Sequence, residues 1–161
     1  MVIRQATCDE MLKLWEYENL ENASPTARFF FNNIATGNAE FWTTDNNSQL
    51  ISELYVFRNL DDNDFANGTD RAYLCAFRVK KEYRGRGIGT RLINEVMSNL
   101  RSEGIKTVTI GVAPDENDNI RLYQRLGFDR KVKDCYEDPC AMDENMNPKP
   151  DEMFWLLAKN I

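Results

Sequence analysis

The chain has 161 residues, 42% of them apolar, which suits one domain able to bury roughly 70% of its unfolded surface. Its 20 Lys and Arg against 26 Asp and Glu leave a net charge of −6, the wrong balance for a nucleic-acid binder, which needs a clustered basic face. No apolar run approaches the ~20 residues of a membrane span, and the start MVIRQATCDEM has no basic stretch leading into an apolar one. A cytoplasmic protein without membrane contact is therefore expected.

The elements follow in chain order. VIRQA (2–6) alternates and reads as a strand. Thr7 then opens a T-x-x-E capping box with Glu10, ahead of a helix carrying Met11, Leu12, Leu14 and Trp15. Ser24 and Pro25 give a second helix its N-cap and first position, and Gly37 stops it. Phe29–Phe31 inside it read as core or as the floor of an acceptor pocket, with core favoured. EFWTT (40–44) and QLISELYVFRNL (49–60) are strands about a DNNS turn. Glu53, central in the second of these, reads more readily as solvent-facing than as a base acting through water.

After the acidic segment LDDNDFANGTD (60–70), RAYLCAFRVK (71–80) is a strand that runs into the glycines. Residues 90–103 form a helix with Leu92, Ile93, Val96, Met97 and Leu100 on one face, ended by Gly104. KTVTIGVA (106–113) is a strand and NDNIRLYQRLGF (117–128) a short helix stopped by Gly127. DRKVKDCY (129–136) and EMFWLLAKNI (152–161) close the chain as strands, joined by a proline-containing acidic loop at 137–151. The acidic stretches read as solvated loops, or as attractors of a cation. Cys8, Cys75, Cys135 and Cys140, in a chain with no histidine, are expected to be free thiols with no metal site.

The stretch EYRGRGIGTRL (82–92) is the most informative. Gly85, Gly87 and Gly89 alternate just before a helix, amid Lys80, Lys81, Arg84, Arg86 and Arg91. A Walker loop needs a lysine after its last glycine, and a dinucleotide fingerprint begun at Gly85 needs glycine where Thr90 stands; both fail. A tight turn with packing glycines remains, or an anion cradle of successive N–H groups at the positive end of a helix.

FRVKKEYRGRGIGTRLINEVM resembles motif A of the GNAT acetyltransferase superfamily, R/Q-x-x-G-x-G/A, with Arg84, Gly87 and Gly89 filling it. NDNIRLYQRLGF resembles its motif B through Leu122, Tyr123, Gly127 and Phe128, and the two stand in the family's order with a helix and a strand between. The resemblance implies one α+β domain over 1–161, with motif A at 77–103, motif B at 117–128, and a mixed sheet of six or seven strands splayed between the fourth and fifth, flanked by about four helices. It implies acetyl transfer from acetyl-CoA to a primary amine, of a small cationic molecule or a peptide, without metal, and it allows a homodimer. Its pyrophosphate would lie on Arg84, Gly85, Arg86, Gly87, Ile88, Gly89 and Thr90, its pantetheine arm along Phe77, Arg78 and Val79, with Asn117 a further contact. The Val79 amide would stabilise the oxyanion, and Tyr123 would be the general acid, its competing role being core packing. Where such relatives carry a glutamate base, this chain has Tyr73 and Gly111. A non-catalytic coenzyme A-binding module is the alternative, with the same cradle and no use for Tyr123.

Overall fold

The computed structural model describes all residues from Met1 to Ile161. Strands β1 (Val2–Ala6), β2 (Ala39–Asn46), β3 (Gln49–Leu50), β4 (Ser52–Phe57), β5 (Arg71–Val79), β6 (Thr107–Val112), β7 (Arg130–Met142) and β8 (Pro148–Asn160) form one sheet, with helices α1 (Cys8–Leu14), α2 (Pro25–Ala35), α3 (Ile88–Ser102) and α4 (Asn117–Arg125). The sheet order is β1-β2-β4-β5-β6-β8-β7, with the two-residue β3 added beside β2. All neighbours are antiparallel except β5 and β6.

Both predicted helix starts form. The Thr7 hydroxyl accepts from Glu10 N–H at 3.1 Å while Glu10 Oε1 accepts from Thr7 N–H at 3.0 Å, the reciprocal arrangement that satisfies two orphan donors. The Ser24 hydroxyl accepts from Ala27 N–H at 3.1 Å. α3 begins at Ile88, two residues before the expected start, because the glycine loop itself supplies the N-cap, Gly87.

The sheet divides two cores. One face, under α1 and α2, gathers Met11, Ala27, Phe30, Phe41, Tyr55, Phe57, Phe65, Tyr73 and Phe154. The other, under α3 and α4, gathers Leu54, Val56, Leu74, Leu92, Val96, Ile110 and Tyr123. All six residues of β4 are buried because both its faces are covered. Phe30 is core, and Phe29 and Phe31 pack against the same cluster.

The feature that makes a site is a gap. β5 and β6 pair only from Arg71 with Thr107 to Leu74 with Ile110. Beyond that, Tyr55 stands opposite Cys75 and Glu53 opposite Arg78, so Leu54 alone faces both Ala76 and Phe77. Ala76 is left-handed, φ 51°. Such a bulge bends and twists its strand, and β5 leaves β6, whose Gly111 and Val112 continue alongside β8.

The acidic segment at 137–151 differs from expectation. It is strand at both ends, and only Asp143–Asn147 form the hairpin tip, where the Asp143 carboxylate accepts from Asn145 N–H at 2.9 Å and Asn147 N–H at 3.0 Å. Pro139, Pro148 and Pro150 read as breakers in the sequence. Pro139 is tolerated because β7 is the sheet's edge, and Pro148 and Pro150 because β8 pairs with β6 only from Trp155 onward, leaving its start a free edge; edges and bulges accept residues without an N–H.

Candidate active site

β5 leaves the sheet through a single 3-10 turn, Lys81–Tyr83, and enters the glycine loop. Arg84 turns back so that its Nε donates to Val79 O at 2.9 Å, fixing that exit. Gly85 and Gly87 have φ of 77° and 76°, with open space where a Cβ would stand, so their role is backbone conformation. Gly89 has a different reason: a Cβ there would come 2.6 Å from Phe77 Cζ, and its absence lets α3 seat against β5. The first main-chain bond after the loop is Arg91 N–H to Gly87 O at 3.0 Å; the N–H groups from Gly85 to Thr90 enter no turn, loop or cap bond. They converge at the positive end of a fifteen-residue helix.

These donors open onto a cleft of about 1080 Å³ between the end of β5, the loop and α4. Phe77, Arg78, Val79, Arg84, Gly85, Gly87, Ile88, Gly89, Thr90 and Asn117 all line it, as nominated from the sequence. Arg86 does not; its guanidinium lies 5.4 Å from the centre of the Tyr83 ring. Along β5 the main-chain direction alternates. Lys80 N–H donates to Ile51 O at 2.9 Å, so in the register of Ser52 with Val79 the Val79 N–H turns away from β4 and towards the gap. By the same alternation the Arg78 main chain is engaged with β4, leaving Val79 as the free edge. The Arg78 side chain reaches Glu53 at 3.2 Å.

Tyr123 is 4% exposed and does not line the cleft surface. Its ring lies between Phe77 and Phe128, with centroids 6.4 Å and 6.2 Å away, and its hydroxyl has no hydrogen-bond partner in the protein. Burial, then the Glu116 charge, push its pKa well above the usual phenol value, so the phenol keeps its proton at physiological pH. Lys159 Nζ donates to Leu126 O at 2.6 Å and caps the C-terminal end of α4.

Sequence reasoning missed Tyr83, Arg121 and Arg125, which also line the cleft. The two arginines carried a signal, their i, i+4 spacing on the short amphipathic helix.

On the opposite face, Glu53 corrects an expectation. It is 5% exposed rather than solvent-facing. Trp15 Nε1 donates to its Oε1 at 2.8 Å and the Tyr55 hydroxyl at 3.0 Å, donors that a strand pattern alone cannot reveal. A second cleft of about 580 Å³ lies on this face, lined by Tyr73, Gly111 and Phe154, and it shares Asp115 and Glu116 with the first. The gap between β5 and β6 thus has an opening on each side of the sheet. All four cysteines are free thiols. No group of three or more Cys, Asp or Glu side chains is placed to hold a metal ion, and no helix is long and apolar enough to cross a membrane.

The split mixed sheet, with a row of free N–H groups at a helix start beside the split, makes this the candidate ligand site. The chain belongs to the acetyltransferase (GNAT) family, whose pattern matches residues 5–128. It is 32% identical over 82 residues to N-alpha-acetyltransferase 30 of Schizosaccharomyces pombe, covering 50% of this chain and 55% of that one. The curated relatives it matches are covered over only 24% to 55% of their own length. In fold it is similar to the ribosomal-protein-S18-alanine N-acetyltransferase of Escherichia coli, with a TM-score of 0.72 at 16% identity over 99% of this chain and 93% of that one. It is similar also to Arabidopsis thaliana NAA60 in complex with acetyl-CoA, with a TM-score of 0.67 at 18% identity over 99% and 98%.

Proposed function

We propose that this protein is an N-acetyltransferase that moves the acetyl group of acetyl-CoA directly to the α-amine of a peptide or protein. The observation that carries the reading is the row of free N–H groups from Gly85 to Thr90 at the mouth of the β5–β6 gap. A diphosphate suits that row, since backbone donors and the helix dipole act together on an anion. An extended amide-bearing arm suits the free edge of β5 at Val79, which leads from the cradle into the gap. The peptide acceptor is supported by the relative named as an N-alpha-acetyltransferase.

The chemistry uses the Val79 N–H at the gap and the Tyr123 phenol beneath it. The neutral amine nitrogen attacks the thioester carbonyl; the C–N bond forms, and the carbonyl oxygen takes negative charge opposite the Val79 N–H. Collapse breaks the C–S bond, and the Tyr123 phenol gives its proton to the departing thiolate, with the proton lost by the amine passing to solvent and restoring the phenol. Burial keeps the phenol protonated, so it meets the forming thiolate as a hydrogen-bond donor, while the raised pKa makes it a weaker acid. Replacing Tyr123 by Phe is expected to lower kcat by about 10²–10⁴-fold while coenzyme A affinity, measured by calorimetry, stays within a factor of two or three. Unchanged turnover would remove the phenol from the mechanism. Binding of acetyl-CoA without thiol release on any amine would instead make the chain a binding module.

A further inference from the structure

The second cleft, beside Tyr73 and Gly111, has a charge that the fold does not neutralise. Asp115, Glu116, Asp138, Asp151 and Glu152 line it, and none of its lining residues is Lys or Arg. None of the five carboxylates belongs to an ion pair. They come from three separate elements, the β6–α4 connection, β7 and β8, which the hairpin brings to one rim. Asp138 is the most enclosed. Burial, with Asp151 adding repulsion, lifts its carboxyl above the ordinary range, while the Cys140 N–H at 2.8 Å opposes the shift.

Surface acids alone mean little. The deep end of this cleft supplies the independent observation. Tyr73 is only 5% exposed, and its hydroxyl makes no hydrogen bond within the protein; since no buried side-chain oxygen of the chain is left unpartnered, the exposed part of this side chain is its oxygen, open to the cleft. That hydroxyl stands 3.4 Å from where a Cβ on Gly111 would be. The missing side chain therefore keeps the oxygen open to the cleft rather than covered. A hydroxyl waiting for a donor, under a rim of unpaired carboxylates, fits a ligand that is both hydrogen-bond donating and positively charged.

We infer that this cleft receives the acceptor and selects a peptide carrying positive charge on the residues following its α-amine, with the Tyr73 hydroxyl and the Asp138 carboxylate as its innermost contacts. The inference rests on the acetyltransferase reading. The amine meets Tyr73 and Asp138 at the floor, and the following basic side chains meet Asp151 and Glu152 on β8. The cleft reaches the donor side through Asp115 and Glu116, the two residues it shares with the cradle cleft.

The test uses the full chain with acetyl-CoA and three amidated peptides of equal length beginning Met-Lys-Lys, Met-Gln-Gln and Met-Glu-Glu. Partly exposed ion pairs give up to about fivefold each, so the lysine peptide should exceed the glutamine peptide by about tenfold in kcat/KM, with the glutamate peptide poorest. The ratio should shrink as salt is raised and should fall towards one in the Asp151→Asn, Glu152→Gln double variant. Tyr73→Phe should raise KM for the lysine peptide more than it lowers kcat. Equal use of the three peptides, or a ratio unmoved in the double variant, overturns the inference while leaving the transferase standing. If no peptide releases coenzyme A, the transferase reading falls. Calorimetry of the same peptides on the coenzyme A-bound protein then decides the cleft alone: tighter binding of the lysine peptide supports it, and no difference overturns it.

Discussion

Three glycines can be separated by the physical work each does, and Gly87→Ala is the sharpest probe of the cradle. Gly87 has φ 76° with nothing near an added Cβ, so alanine there meets no clash and feels only the left-handed penalty of roughly 1–2 kcal/mol. Reduced freedom of the unfolded chain offsets about 0.4–1 kcal/mol of that, leaving a loss of about 1 kcal/mol, or ~fivefold in the folding equilibrium. Gly37, φ 83° and equally open, has the same strain far from the cleft, so Gly37→Ala is the matched control. The two variants should lose similar stability in urea unfolding, with unchanged m. Their coenzyme A affinities should differ. If the loop relaxes by turning a peptide, it misdirects an N–H, and a hydrogen bond to a charged group is worth ~1.5–3 kcal/mol, or about 10–100-fold in Kd. Gly37→Ala should bind normally. Equal affinities in the two variants would refute the claim that these main-chain donors hold the ligand.

Gly89→Ala tests sterics instead: a Cβ 2.6 Å from Phe77 Cζ forces the ring to move, at a typical overpacking cost of ~1–3 kcal/mol, read from the urea midpoint. Tyr55→Phe removes a fully buried hydroxyl that donates to Glu53 at 3.0 Å and should destabilise by ~1.5–3 kcal/mol; a change below 0.5 kcal/mol (roughly the surface-substitution level) would mean that Trp15 and Arg78 satisfy Glu53 without it. Arg4 donates to Glu10 and, with the Thr7 N–H, holds the Glu10 carboxyl down at about 2. That value lies below the unfolded one near ~4.3, so the stabilisation is complete above the latter and is lost as pH falls towards the former. Glu10→Gln should therefore be less stable than the parent at pH 6, with the difference narrowing steadily below about pH 4 in urea titrations. A constant difference would place the effect in packing.

Much of the fold was legible because its signals are local. Thr7 with Glu10, Ser24 with Pro25, and the alternation through 2–6 each specify their element without help from distant residues. The loop glycines announced themselves by spacing. What stayed hidden depends on pairing across the sheet. Leu54 facing both Ala76 and Phe77 is visible only once register is known, and so is the orientation of the Val79 N–H. Glu53 reads as exposed until Trp15, thirty-eight positions away, is folded over it. The long β7–β8 hairpin was obscured by prolines whose acceptability depends on which strand lies at the sheet's margin. Tyr123 could be nominated from LYQRLGF, but its setting between Phe77 and Phe128 could not.

The unpaired half of β5 is a strand border inside the molecule, of the kind that on an outer margin invites joining by foreign chains. Here it is recessed behind the start of α3 and the flank of α4, so a neighbouring sheet cannot slide up to it. Only something slender, with its own amides and little bulk on either side, can dock along that border. The same recess that guards the protein against sticking to itself thus acts as a gauge of ligand width.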